Sequence, residues 1–153
     1  MRKAVVILGL LLAASTTNAQ DGLPGRPVFV PGMYESESRN SQFQDQPVKS
    51  KVCIVSSDFD TFMNDTLEQY RSAPHFTKAC TLGETKRTAD GFAFAMDCGE
   101  AKTIVTFNFS KDLVAQTIDT LIVRHKSASS SILTLMRRIG DCPPGEKVPG
   151  KGP

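Results

Sequence analysis

Residues 91–98 read Gly-Phe-Ala-Phe-Ala-Met-Asp-Cys, and this alternation of large and small side chains decides the fold class. Successive side chains of an extended chain point to opposite faces, so a period of two is typical of a strand with one buried face. The buried face would carry Phe92, Phe94, Met96 and Cys98. The stretch therefore predicts a half-buried strand.

The alternation continues downstream, where Val105, Phe107 and Phe109 predict a second strand with the same buried face. Residues 113–124 are apolar at both odd and even positions, which predicts a strand buried on both sides, with Leu121 facing inward. Leu133 and Leu135 mark a last strand. Short polar turns separate these segments, and one of them would use Gly91 at a positive φ. An antiparallel meander follows.

Two earlier strands are predicted at residues 33–39 and 48–55, separated by a polar loop at 41–47. The one helical pattern starts after Ser57, a candidate N-cap, and ends before Pro74. Its apolar residues recur at helical spacing: Phe59, Phe62, Met63, Leu67 and Tyr70. The predicted fold is mainly β (α+β): an antiparallel meander of about six to seven strands, open or curled into a half-barrel, with one helix packed on it.

The N-terminus resembles an export signal, with Arg2 and Lys3 before an apolar run at 4–14 and a cut expected after Ala19. That run is shorter than the ~20 residues of a spanning helix, so no membrane span is predicted. We expect a periplasmic protein. Its parts are a signal peptide (1–19), a flexible leader (20–30), a single β domain (31–142) and a disordered Pro/Gly/Lys tail (143–153).

Removal of residues 1–19 takes away two bases and no acid, which leaves 16 basic and 16 acidic side chains. A neutral balance argues against a nucleic-acid partner. The charges are nevertheless uneven, because four acids lie within residues 58–68: Asp58, Asp60, Asp65 and Glu68. This segment is either a solvated surface or a patch that binds a partner.

Four cysteines remain after the signal, and in an exported domain of this size they predict two disulfides. The positions are Cys53, Cys80, Cys98 and Cys142. Their wide spacing offers no Cys-x-x-Cys pair for zinc, so no metal site is predicted. Each bridge should stabilise the fold by roughly 2–4 kcal/mol.

Catalytic signatures are missing from the sequence, which has no nucleophile elbow, phosphate-binding glycine loop or His/Glu metal motif. The two histidines, His75 and His125, lie in predicted loops with no neighbour in sequence that would orient them. We therefore predict no catalytic residue, no cofactor and no enzyme activity. A hydrolase that uses His75 or His125 is the alternative.

An antiparallel sheet under a helix can hold an apolar ligand between the two. The residues predicted to line such a pocket are Phe62, Phe92, Phe94, Met96, Val105, Phe107 and Leu121. Periodicity alone does not separate a lined pocket from a filled core. The predicted function is a non-catalytic binding or accessory module for a small apolar ligand or an envelope protein. The alternative is a structural protein that contacts other envelope components.

Five short segments together resemble the domain of unknown function 3617 family of small exported bacterial proteins. They are Pro31-Gly32-Met33-Tyr34-Glu35, Val52-Cys53, Cys80, Cys98 and Arg138-Ile139-Gly140-Asp141-Cys142. The chain departs from the family at Tyr34, where tryptophan is usual. The resemblance implies a periplasmic, disulfide-bonded β domain of a Gram-negative bacterium, and it implies no activity.

Two arguments on the cysteine pairing disagree. The order of the family's cysteines implies Cys53 with Cys80 and Cys98 with Cys142, and this pairing is favoured. A strict meander would instead bring Cys80 and Cys98 together at one end of a hairpin, which leaves Cys53 for Cys142.

Overall fold

The computed structural model describes residues 27–74, 79–123 and 129–145. These residues form one antiparallel sheet of seven strands and one helix. The elements in chain order are β1 (Gly32–Asn40), β2 (Phe43–Ile54), α1 (Phe59–Ser72), β3 (Thr81–Arg87), β4 (Gly91–Asp97), β5 (Ala101–Ser110), β6 (Leu113–Ile122) and β7 (Ser129–Gly140). The predicted fold class is confirmed.

The strands lie in the order β2-β1-β7-β6-β5-β4-β3. Strands β3 to β7 form the predicted meander, but the hairpin of β1 and β2 joins its far side, where Ser36 pairs with Met136. The chain therefore returns from β2 to β3 across one face of the sheet, and α1 lies in that connection. The edges β2 and β3 do not pair with each other, so the sheet is open.

The face of the sheet under α1 carries the hydrophobic core. Its register places Phe92 beside Phe107 and Phe94 beside Val105. The stacked rings of Phe92 and Phe107 are 4.8 Å apart between centroids, and Phe92 and Val105 are 0% exposed. Burial of such side chains stabilises the fold by roughly 1.5–3 kcal/mol each. The period of two at residues 92–98 thus identified the core face correctly.

Helix α1 begins at Phe59, one residue later than a cap at Ser57 predicted. The N-cap is Asp58, whose Oδ1 accepts a hydrogen bond from the amide of Thr61 at 2.8 Å, and not Ser57. This bond lowers the pKa of the Asp58 carboxyl. The hydroxyl of Ser57 instead donates to the carboxylate of Asp58. The buried side of the helix consists of Phe59, Phe62, Met63, Thr66 and Leu67.

Strand β2 is longer than the sequence predicted. The predicted loop at 41–47 shrinks to a turn at Ser41 and Gln42, and β2 runs from Phe43 to Ile54 with Pro47 inside it. Proline removes a backbone donor, which an edge strand tolerates because one side of the strand has no neighbour. Composition pointed to a loop here, whereas pairing with β1 extends the strand.

Gly91 does not have the predicted positive φ. A Cβ at Gly91 would lie 1.7 Å from the backbone oxygen of Phe107, so glycine is required by the close approach of β5. The positive φ occurs in the next turn, at Gly99, where φ is 72°.

The prediction for Leu121 is wrong. The register places Leu121 beside Lys102, on the face of the sheet opposite to α1, and its side chain is 42% exposed. Ile122 and Val123 are exposed as well, so residues 113–124 are not buried on both sides along their whole length. When a strand has apolar residues on both faces, its sequence pattern does not show which face points towards the core.

The two predicted disulfides are present, but the favoured pairing is wrong. Cys53 bonds to Cys142, with Cα atoms 5.6 Å apart, and Cys80 bonds to Cys98, with Cα atoms 4.0 Å apart. The pairing that the meander implied is the correct one. Residues 80 and 98 meet at the open end of the β3–β4 hairpin, and β1 brings the end of β2 beside the end of β7.

The predicted leader and tail are described only in part. Phe29 packs against Phe62, with ring centroids 5.2 Å apart, so packed chain extends ahead of residue 31. The hydroxyl of Tyr34 donates to the carbonyl oxygen of Val30 at 2.5 Å. The predicted signal peptide (1–19), residues 20–26 of the leader and residues 146–153 of the tail lie outside the described residues.

Candidate functional site

A cavity of about 350 Å³ lies between α1 and the sheet. The filled aromatic core lies over β4 and β5, and the cavity is next to it, towards β2. Its lining residues are Val52, Cys53, Ile54, Val55, Ser56, Phe62, Asp65, Thr66, Gln69, Tyr70, Phe107, Gln116 and Met136. Cavities of this size and larger hold small molecules in many proteins.

Helix α1 supplies one wall of the cavity. Its lining residues are spaced by three and four positions, which places them on one stripe of the helix: Phe62, Asp65, Thr66, Gln69 and Tyr70. The end of β2 and the connection to the helix supply the facing wall. The floor comes from three neighbouring strands, through Phe107 of β5, Gln116 of β6 and Met136 of β7.

The walls are mostly apolar, and two hydrogen-bonded pairs of polar side chains join the parts of the lining. The hydroxyl of Ser56 donates to the carboxylate of Asp65 at 3.1 Å, which joins the β2–α1 connection to the helix. The Nε2 of Gln116 donates to the hydroxyl of Tyr70 at 3.2 Å, which joins the sheet to the helix. Burial raises the pKa of Tyr70, although the bond from Gln116 acts in the opposite direction. The phenol is therefore protonated at neutral pH.

The predicted pocket residues have three different positions. Phe62 and Phe107 line the cavity. Phe92, Phe94, Met96 and Val105 are buried in the core beside it. Leu121 lies on the opposite face, as described above. The sequence patterns therefore identified two residues of the lining, and they missed its polar side chains as well as apolar residues such as Val52, Ile54 and Met136.

The polar lining residues were missed because each resembles a surface residue in sequence. Asp65 belonged to the acidic group at 58–68, and Gln69 follows it by one helical turn. Of these polar residues, Gln116 is the one whose position on the inward face could have been predicted from the sequence. It lies two residues from Val114 and two from Ile118, so it shares the inward face of β6 by parity.

The disulfide between Cys53 and Cys142 belongs to the wall of the cavity, because Cys53 is a lining residue. The other bridge, between Cys80 and Cys98, lies on the β3–β4 hairpin. Across residues 27–74, 79–123 and 129–145, no group of three His, Cys, Asp or Glu side chains is arranged to hold a metal ion. His75 and His125 lie outside these residues.

The face of the sheet opposite to α1 carries a second apolar feature. Ile104, Leu133 and Leu135 are on this face together with Leu121, and Ile104 is 54% exposed. In the part of the chain that the structure describes, no helix has the length and apolar character needed to cross a membrane.

No protein-family model matches the chain, and neither a curated protein nor a solved structure is significantly similar to it. The fold and the two disulfides are therefore supported by the structure and not by similarity to a known protein. The resemblance to the domain of unknown function 3617 family stays a prediction.

Proposed function

We propose that this protein is an exported, non-catalytic binding module that holds a small, largely apolar molecule in the cavity between α1 and the sheet. The observation that carries the proposal is the cavity itself, about 350 Å³ beside a core that is otherwise closely filled. Val55 and Gln69, which line the cavity, are exposed, so the cavity opens to solvent and a small molecule can enter it. Apolar walls with a few placed polar groups are typical of ligand sites.

Export is part of the same proposal. Two disulfides support it, because such bonds persist in oxidising compartments. The N-terminal pattern of charge, apolar run and small residues points in the same direction. The periplasm of a Gram-negative bacterium is the compartment that the family resemblance implies.

Native mass spectrometry tests the proposal directly. The full chain is expressed in a bacterium, purified from the periplasm and measured under non-reducing conditions. The expected result is the cleaved protein with two bridges and an additional small molecule that is lost on denaturation. A preparation that carries no small molecule, and that takes up none from a lipid extract, would contradict the proposal.

A pair of variants assigns any bound molecule to the cavity. Val52→Phe places additional volume in the cavity, because Val52 lines it. Val48→Phe is the matched control on the same face of β2, at a position that is 70% exposed and does not line the cavity. We expect Val52→Phe to lose the bound molecule and Val48→Phe to retain it. Circular dichroism checks that both variants are folded.

The second candidate is a structural protein that contacts another envelope component. The exposed apolar residues on the face opposite to α1 favour it, since a large apolar patch often marks an interaction site. Leu133→Ser with Leu135→Ser would weaken such a contact and leave the cavity unchanged. Loss of the contact with the envelope component in that variant, with the contact kept in Val52→Phe, would select this candidate over the first.

A further inference from the structure

The charge of the cavity indicates which class of molecule it would take. Asp65 is the single charged side chain among the lining residues, all of which the structure describes. The bases nearest to the lining in sequence do not offset it. Lys51 lies on the opposite face of β2, across from Glu35, and Arg71 is exposed at the end of α1.

Aromatic rings accompany the carboxylate. Phe62, one turn before Asp65 on the same stripe of α1, packs edge-to-face on Phe107 with ring centroids 5.7 Å apart, and both rings belong to the buried core. Tyr70 completes the aromatic part of the lining. Aromatic faces attract cations through their quadrupole, and quaternary ammonium groups are often bound in this way.

The helix adds to the same field. Gln69 and Tyr70 lie in the last turn of α1, where the helix dipole carries partial negative charge. The carboxylate, the half-buried ring of Tyr70 and the helix end therefore favour a positive group, while Val52, Ile54 and Met136 offer an apolar wall to the rest of the molecule.

We infer that the cavity takes an amphiphilic organic cation, with its ammonium group beside Asp65 and its apolar chain between the helix and the floor of the sheet. This inference rests on the proposed function, because it assumes that the cavity holds a ligand. It deepens that proposal by naming the sign of the charge and the side chain that selects it.

Three probes that share an octyl chain and differ in head-group charge distinguish the contribution of charge to binding from that of the apolar chain. Octyltrimethylammonium, octyl sulfate and octanol are titrated into the oxidised full-length protein, purified after export, by isothermal titration calorimetry below their micelle concentrations. We expect the ammonium probe to bind about tenfold more tightly than octanol, and the sulfate to bind more weakly than octanol. Added salt should weaken the binding of the ammonium probe and leave octanol unchanged.

The variants Asp65→Asn and Asp119→Asn assign the selectivity. Asparagine at 65 keeps an oxygen that accepts the hydrogen bond from Ser56, so the wall should be retained. Asp119 is an exposed residue on the opposite face of the sheet, across from Ile104, and serves as the control. We expect Asp65→Asn to bring the ammonium probe down to the affinity of octanol, and Asp119→Asn to change nothing.

A reversal experiment keeps the inference testable if Asp65→Asn proves unstable. Gln69→Lys places a positive charge at an exposed position of the lining and should shift the preference towards octyl sulfate. Equal affinities of ammonium and octanol for the unmodified protein would overturn the inference about charge, while the binding function would stand. Failure of all three probes to bind would overturn both.

Discussion

The side chain of Gln116, on the central strand β6, donates a hydrogen bond from Nε2 to the hydroxyl of Tyr70, on helix α1, at 3.2 Å. The ring of Tyr70 also packs on Phe94, with centroids 5.0 Å apart. This residue therefore fixes the end of the helix to the core on one side and to the cavity floor on the other. The geometry of the candidate site depends on that double attachment.

We expect Tyr70→Phe to destabilise the protein by about 1 kcal/mol, because the ring contact is kept while the half-buried amide of Gln116 loses its acceptor. Urea unfolding measures the effect as a lower midpoint with an unchanged slope. The double variant Tyr70→Phe with Gln116→Leu is the control and should recover part of the loss, since both polar partners are then removed. A single variant as stable as the parent would contradict the expectation.

The two disulfides should contribute unequally. Cys53–Cys142 spans 89 residues and Cys80–Cys98 spans 18. In the chain-entropy account these bridges stabilise by about 4.6 and about 3.2 kcal/mol. Replacement of each pair by serines, followed by urea unfolding, should therefore show the larger loss for Cys53→Ser with Cys142→Ser. An equal loss, or a larger one for the hairpin bridge, would show that the constraint on the unfolded chain is not the dominant effect.

Both tyrosines should titrate above their ordinary range. Burial raises the pKa of Tyr34, against the opposing effect of Arg138, and burial likewise raises the pKa of Tyr70. The unfolded chain ionises its tyrosines near pH ~10. The stability that these groups provide is therefore full below that pH, and it is lost as the pH rises through the higher folded values.

Ultraviolet absorbance of tyrosinate measures this titration without interference, because the chain has two tyrosines and no tryptophan. Tyr34→Phe leaves Tyr70 as the sole absorbing group and assigns the two steps. Ionisation of both groups at the unfolded value, with circular dichroism still showing the folded sheet, would refute the expectation.

Gly91→Ala should be among the most damaging single changes in the sheet. The added Cβ would lie 1.7 Å from the backbone oxygen of Phe107, so β4 and β5 must separate, at a cost of about 3 kcal/mol. Gly83→Ala is the matched control on β3, where the nearest atom is the oxygen of Ala95 at 3.3 Å. Thermal unfolding should show a much larger decrease in Tm for the first variant. Similar values for the two would show that the strands adjust freely.

Local pattern was enough to predict the elements, but not their order in space. The alternation of Phe92, Phe94 and Met96 with small or polar residues needs no partner strand to be recognised. No local sequence pattern indicates the pairing of Ser36 with Met136, because these residues belong to strands that are far apart in the chain. The favoured cysteine pairing was wrong for the same reason, since it depended on which strands are neighbours.

Only two apolar residues of the candidate site were predicted from the sequence. Phe62 and Phe107 belong to periodic patterns, and both line the cavity. Asp65 and Gln69 have polar side chains on a surface helix, and sequence does not distinguish such residues from solvated ones. Their role depends on where the β2–α1 connection passes, which is a property of the folded chain.

The pairing of β1 with β7 has a consequence for the time course of folding. A ribosome delivers β1 at the start of the domain and β7 at its end, so the hairpin of β1 and β2 has no neighbour to dock on until synthesis of the domain is almost complete. Such high contact order is associated with slow folding. The sheet can therefore close only when synthesis of the domain is almost finished, and a sheet completed this late would suit the export that we propose.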